Sequence, residues 1–136
     1  MNYIPYIDMQ LTAQEVCDIR EMSGWDHEIK EWENCLSRNI INVSVRNDSG
    51  IVIGVGFLTG NLRHAELTDL VVHPEHKQQG LGRLMVKLIN DYAIQHNIKY
   101  YGLTYDKTFP WLKEFYESEG FELIDFGMWH KHSLGK

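Results

Sequence analysis

Long apolar runs are missing from this sequence. The longest, residues 51–58, is broken by Gly54 and Gly56 and falls far short of the roughly 20 residues a membrane-spanning helix needs. Cysteine is scarce: Cys17 and Cys35 are the only two, each in a segment of helical patterning. Without a secretion signal or a disulfide framework they read as reduced core thiols rather than a redox or nucleophilic pair. Residues 1–10 mix Asn, Tyr, Pro and Asp and lack the basic-then-apolar order of a signal peptide. A cytoplasmic protein with no membrane partner is therefore expected. Positive charge is in deficit, with 13 Lys plus Arg against 19 Asp plus Glu and a net charge of −6. That disfavours nonspecific nucleic-acid binding, which needs clustered positive charge to displace counterions, and is compatible with a cationic amine as substrate. Repeats, low-complexity segments and linkers are lacking too. What is present is the make-up of an ordinary globular domain: 136 residues, 43% apolar and 24% charged, enough for one core and too few for two.

Thr12 and Glu15 have the spacing of a capping box and open a helix through about Met22, which Ser23-Gly24-Trp25 interrupts. A second helix is expected over 29–37. Strands over 40–46 and 51–59 flank the Asn47-Asp48-Ser49-Gly50 turn and make a hairpin. Gly60-Asn61 leads into a third strand over 65–72, closed by Pro74. Leu81, Leu84, Met85, Leu88, Ile89, Tyr92 and Ala93 then recur at helical spacing and form one apolar stripe. Asn97 is a plausible stop for this helix, and 98–105 returns as a strand. Strand, helix and strand of this length make a crossover, so these two strands should run parallel. Pro110 suits the first turn of a further helix to about Glu119; Gly120 ends it, and 121–124 and 128–132 read as the last strands. The order α, α, β, β, β, α, β, α, β, β implies an α/β (α+β) fold, a mixed sheet with helices on both faces.

Chemistry concentrates at the junction of the third strand with the long helix, Leu70-Val71-Val72-His73-Pro74-Glu75-His76-Lys77-Gln78-Gln79-Gly80-Leu81-Gly82. Gly80 and Gly82 allow close approach of a ligand and positive φ. The amides from about Gln78 to Arg83 face outward at the positive end of the helix, which suits an anion, and Lys77 and Arg83 add charge-assisted donors. A Gly-x-Gly turn also serves packing alone. The dinucleotide fingerprint fails because Met85 stands where the third glycine would be, and no Gly-Lys-Ser/Thr follows.

The stretch from Lys77 to Gly82 resembles the Arg/Gln-x-x-Gly-x-Gly/Ala motif of the GNAT family of N-acetyltransferases. Phe115-Tyr116-Glu117-Ser118-Glu119-Gly120-Phe121 resembles a second signature, Phe-Tyr-x-x-x-Gly-Phe, in the expected helix–Gly–strand setting. The element order matches as well, so the resemblance covers nearly the whole chain. It implies one N-acetyltransferase domain over 1–136, built on a mostly antiparallel sheet of about six to seven strands splayed at a central parallel pair. It also implies acetyl-CoA as co-substrate, without a metal, contacted by Leu70, Val71, Val72, Lys77, Gln78, Gln79, Gly80, Leu81, Gly82 and Arg83. Two departures stand out. Lys77 occupies the place of Arg or Gln and keeps the charge without the planar fork, and Phe109 stands where many members carry a CoA-contacting Asn.

The implied reaction is direct attack of an amine on the thioester in a ternary complex. In the family a β-bulge splays the 65–72 strand and frees amides near Leu70 and Val72 for the carbonyl and pantetheine. The amine must lose a proton, since an alkyl ammonium titrates near ~10. Glu66 occupies the place of the base in histone-acetylating relatives, and Asp69 is the nearer carboxylate. Strict alternation puts them on opposite faces, while a bulge between them would bring them to one side. A solvated Glu66, a buried hydrogen-bonded Asp69 and a water-relayed base all stay open. Thr104 stands where other relatives carry a Glu on the next strand. Tyr116 matches the family's general acid, which protonates the departing thiolate; its alternative is a core tyrosine. Trp25 and Trp129 are implied walls of the acceptor pocket.

The pairs His73 with His76 and His130 with His132 each lack an evident third metal ligand and read as exposed imidazoles. The leading acceptor is a primary amine of a small molecule or peptide, mildly favoured by the short 60–64 connection. Protein lysine or N-terminal acetylation is the runner-up, and a catalytically silent acyl-CoA sensor is the reading from another class. Relatives often dimerise through the C-terminal strands, and 126–130 has apolar content compatible with a homodimer.

Overall fold

In a computed structural model of the chain, residues 3–125 and 127–135 are described. The chain divides into two compact units, Met1–Thr104 and Tyr105–Lys136. The first contains β1 (Tyr6–Ile7), α1 (Ala13–Met22), α2 (Ile29–Arg38), β2 (Ile41–Arg46), β3 (Val52–Gly60), β4 (His64–Val72), a 3-10 turn (Pro74–His76), α3 (Leu81–Gln95) and β5 (Tyr100–Gly102). The second contains α4 (Trp111–Ser118) and a 3-10 turn (Lys131–Leu134).

The expected capping box opens α1. Thr12 Oγ1 accepts from the Glu15 N–H at 3.1 Å, and Glu15 Oε1 accepts from the Thr12 N–H at 3.0 Å. These bonds satisfy donors that a bare helix start would leave open. The hairpin turn forms as read: Asn47 Oδ1 accepts from the Ser49 and Ile51 N–H groups, each at 2.9 Å.

The sheet order is β1-β2-β3-β4-β5. The first three pairings are antiparallel and β4 with β5 is parallel, as the crossover predicts. Helices cover both faces. Val55, Phe57 and Val71 pack with Val16, Cys17 and Ile19 of α1 and Trp32 of α2, and the Trp32 and Phe57 ring centroids lie 5.2 Å apart. On the other face α3 buries Met85, Val86 and Ile89 completely. Burial of each such side chain contributes about 1.5–3 kcal/mol. The two glycines that interrupt the apolar run have a packing role: a Cβ on Gly54 would lie 3.0 Å from Met85 Cε. Cys17 and Cys35 are unpaired, and burial pushes both thiols up in pKa.

The number of strands differs from expectation. Five form among the described residues, not six or seven. The 98–105 strand shrinks to Tyr100–Gly102, and neither 121–124 nor 128–132 joins a sheet. Side-chain alternation states a preference, but a strand needs a ladder partner, and the end of the second stretch folds instead into the 3-10 turn Lys131–Leu134. Strand β1, two residues long, is too short to show a period and was not anticipated. Of the stretch 126–130 with its apolar content, Phe126 lies outside the described residues.

A buried polar network joins β1, β2 and α1. The Ser44 hydroxyl and Arg46 donate to Asp8 Oδ2, and Arg46 also reaches Glu15 and the Gly50 carbonyl. Burial pushes the Asp8 carboxyl up, but the Ser44 and Arg46 hydrogen bonds, the Gln10 N–H and the Arg46 charge outweigh it and hold it below the ordinary value. Arg46 likewise holds Glu15 down, and its own pKa is raised, chiefly by Glu15.

Candidate active site

The central feature is a break in register between β3 and β4. Val55 pairs with Val71 and Phe57 with Thr68, so Asp69 and Leu70 together face Gly56 alone. This is a β-bulge, and it lies where the resemblance implies one. Asp69 sits in the left-handed region at φ +54, a conformation Asp tolerates better than most residues but which still costs on the order of 1–3 kcal/mol.

The bulge changes which side chains share a face. Pairing with Thr59 and Phe57 sets Glu66 and Thr68 on the sheet face of α1 and α2, since Phe57 belongs to that core. Asp69 reaches Arg20 of α1 at 3.3 Å, and Val71 packs on the same side. Leu70 turns the other way: its Cδ1 lies 3.0 Å from where a Cβ on Gly56 would stand, close to Ile89 of α3. Glu66 and Asp69 therefore meet on one face. Ser23 Oγ at the C-cap of α1, Trp32 Nε1 on α2 and Thr68 Oγ1 on β4 are buried without a hydrogen-bond partner.

The parallel ladder is short. It runs His64↔Tyr100, Ala65↔Tyr101 and Glu66↔Gly102, after which β5 ends and β4 continues for six residues, Leu67 to Val72. Among the described residues no strand lies beside the edge of β4 turned away from β3 in this stretch, and a sheet edge of this kind can offer its backbone groups to another partner.

Beyond Val72, His73 Nδ1 accepts from the Glu75 N–H at 3.1 Å and caps the 3-10 turn, and the His73 and His76 rings meet edge to face at 5.5 Å. These histidines therefore shape the loop. Lys77, Gln78 and Gln79 are exposed, and Gln78 is left-handed at φ +68. Gly80 is the N-cap of α3 at φ +78, with no side-chain cap bond. The first helical bond runs from the Leu84 N–H to the Gly80 carbonyl, so amides of the first turn have no helical acceptor. A Cβ on Gly80 would meet nothing within 4 Å, which makes the glycine a requirement of backbone conformation. Arg83, one turn into the helix, is exposed. The donor set fits an anion.

Tyr116 lies on α4 in the second unit. Its ring meets Phe115 at 5.0 Å and Phe121 at 5.8 Å, both edge to face, and burial raises its phenol above the ordinary value. Trp129, in the same unit, is exposed, as is Trp25 just after α1. Thr104 ends the first unit, and Phe109 belongs to the second. His130 and His132 approach through their Nδ1 atoms at 2.8 Å. Among the described residues no group of three or more His, Cys, Asp or Glu side chains could hold a metal, and no helix is long and apolar enough to cross a membrane.

Sequence reasoning missed Arg20. It is 4% exposed, bonds to the Asp26 carbonyl at 2.7 Å and carboxylate at 2.8 Å as well as to Asp69, and lies over the Trp32 ring at 4.9 Å. A signal was available, because Val16 and Arg20 are four apart and share one helix face.

The chain belongs to the GNAT acetyltransferases: the family model described as an acetyltransferase (GNAT) domain matches residues 39–123, more than half of its length. No curated protein matches it. Among solved structures it is similar to a probable acetyltransferase of unknown function from meticillin-resistant Staphylococcus aureus, with 21% identity, TM-score 0.79, and 95% of this chain and 98% of that one covered. A GNAT family acetyltransferase from Streptococcus pneumoniae gives 20% identity, TM-score 0.78 and coverage of 95% and 98%. A structure of AAC(6')-Iy in complex with the bisubstrate analog CoA-S-monomethyl-acetylneamine gives 11% identity, TM-score 0.77 and coverage of 96% and 97%. At these identities the likeness speaks for the fold.

Proposed function

We propose that this protein is an N-acetyltransferase that moves the acetyl group of acetyl-CoA to a primary amine of a small molecule or peptide by direct attack in a ternary complex. The observation that carries the reading is the Asp69–Leu70 bulge opposite Gly56 together with the end of the β5 ladder at Glu66. An edge strand is then followed, after the loop with the 3-10 turn Pro74–His76, by a helix start without a side-chain cap, which suits a long ligand with an amide arm and an anionic end. A neighbour in complex with a CoA-containing analog supports the same reading. The family match across 39–123 supports treating the chain as one N-acetyltransferase domain.

In this reading the backbone of Leu70, Val71 and Val72 holds the pantetheine arm. The amides of Gln78, Gln79, Gly80, Leu81, Gly82 and Arg83, with Lys77, hold the pyrophosphate. Bound there, acetyl-CoA supplies an acetyl group activated as a thioester. A carboxylate on the α1–α2 face, Glu66 or Asp69, takes a proton from the ammonium directly or through water, so that the nitrogen lone pair can attack. Tyr116 Oη donates a proton to the leaving sulfur. A neutral phenol is the right species for this, and burial favours it. Trp25 and Trp129 act as acceptor-side walls.

The test is thiol release from acetyl-CoA across a panel of primary amines, N-terminal peptides and lysine peptides, with CoA binding followed by calorimetry. Turnover with small amines or short peptides is expected. Turnover on folded proteins alone would favour the protein acetyltransferase reading, and binding without turnover a sensor. No binding at millimolar CoA would remove every reading that includes the ligand.

A further inference from the structure

We propose that Arg20 is a positioning residue: through Asp69 it holds the β4 bulge in its binding shape, and in doing so it takes Asp69 out of competition with Glu66 for the amine proton. The inference rests on the acetyl-transfer reading for its chemistry, while its structural half concerns the bulge alone.

Arg20 occupies the last turn of α1 and is buried, yet its guanidinium makes directed bonds to three acceptors. Nε meets the Asp26 carbonyl, Nη2 the Asp26 carboxylate, and Nη1 Asp69 Oδ1. The Trp32 ring covers one face of the guanidinium at 4.9 Å, which fixes the plane of the fork. The Arg20 carbonyl accepts from the Ser23 and Trp25 N–H groups, so the backbone that carries the side chain is fixed as well. Asp69, 49 positions away in sequence, is the one β4 residue with positive φ. A left-handed residue in a bulge persists only where its surroundings over-determine it, and Arg20 is the group that engages its side chain. The position of Asp69 in turn sets the direction of the Leu70 amide and sends the Leu70 side chain over Gly56.

The two carboxylates on this face are therefore unlike. Asp69 is committed to a buried arginine. Glu66 is half-buried, and among the described residues no side chain bonds to its carboxylate. A proton acceptor needs an oxygen free to meet the ammonium. Both carboxylates have one, since Arg20 meets only Oδ1 of the part-exposed Asp69; but a proton on Asp69 removes the charge that ties it to Arg20, whereas Glu66 has no such partner to lose.

Four variants test this. Asp69→Asn keeps a carbonyl acceptor for Arg20 and tolerates the left-handed conformation, but cannot act as a base at neutral pH. The acidic limb of its pH–rate profile is expected to persist, because the base lies elsewhere, whereas Glu66→Gln loses that limb together with about 100-fold in kcat at little change in acetyl-CoA KM. Arg20→Met keeps a side chain against Trp32 and removes the donors. Its CoA Kd is expected to rise about tenfold or more by calorimetry, and the double variant Arg20→Met/Asp69→Gly, in which glycine adopts the left-handed conformation unaided, is expected to recover most of that affinity. Unchanged CoA affinity in folded Arg20→Met, no recovery in the double variant, or a 100-fold loss in Asp69→Asn with loss of the acidic limb would overturn the proposal. Should Arg20→Met not fold, the Asp69→Asn and Glu66→Gln pair decides alone. The calorimetric arm needs no acceptor, so an absence of turnover in wild type would reject acetyl transfer and still leave the Arg20 result readable.

Discussion

Gly56 lies directly beneath Leu70: a Cβ on the glycine would stand 3.0 Å from Leu70 Cδ1 and 3.4 Å from Ile89 Cδ1. This is tight contact with two side chains, one from the bulge and one from α3. The glycine lets a two-residue bulge and a helix converge over a single position. Gly56→Ala is accordingly expected to displace Leu70, destabilise the fold by about 1–3 kcal/mol as overpacking does, and weaken CoA binding. Chemical denaturation and calorimetry on the same sample check both effects; a stable variant with unchanged CoA affinity would mean that Leu70 moves without consequence.

The Asp8, Ser44, Arg46 and Glu15 network ties the N-terminal segment to the sheet. Asp8 and Glu15 both have pKa values lowered in the folded state. Their contribution is thus fully present above the unfolded carboxylate values, near ~4, and is lost as pH falls through the lower folded values. Melting temperature is expected to hold from neutral pH to about 5 and to fall below it. Arg46→Met, which leaves a 3% exposed Asp8 side chain without its cation, should cost about 2–4 kcal/mol at neutral pH and flatten the acid slope.

Gly80→Ala tests the anion site. No atom obstructs a Cβ there, so the whole penalty comes from φ +78, about 1–2 kcal/mol for a non-glycine residue. Because the penalty can be relieved by turning the N-cap and its amides, CoA affinity is expected to fall several-fold while acetyl-group chemistry is untouched. The signature is a raised acetyl-CoA KM at unchanged kcat.

Tyr116→Phe removes the proposed acid. A drop in kcat of about 10-fold to 100-fold at nearly constant acetyl-CoA KM is expected, within the range for general acid catalysis. Burial raises the phenol pKa above its ordinary value of 10.0. The wild-type enzyme should therefore lose this proton donor only as pH climbs past about 10, with no limb from this group in the variant. Unchanged turnover in Tyr116→Phe would take the residue out of the mechanism.

Local order was legible along the chain because it depends on neighbours in sequence. The Thr12–Glu15 box, the Asn47 turn, the α3 stripe and the Gly80 helix start each involve contacts within a few residues. The parallel pairing of β4 with β5 followed from the length of the crossover. The last strands could not be foreseen to fail, since pairing depends on a partner that alternation does not name.

By itself, then, the sequence determined the family, the order of the principal elements, and the glycine start of α3, all of them encoded in short-range spacing. Only the tertiary structure decided which face each carboxylate takes and what it meets. Strict alternation separates Glu66 from Asp69; a one-residue slip against Gly56 brings them to one face, and a buried arginine 49 positions away occupies one of them. Register and long-range ion pairing arise from packing between distant segments, and no local pattern carries them.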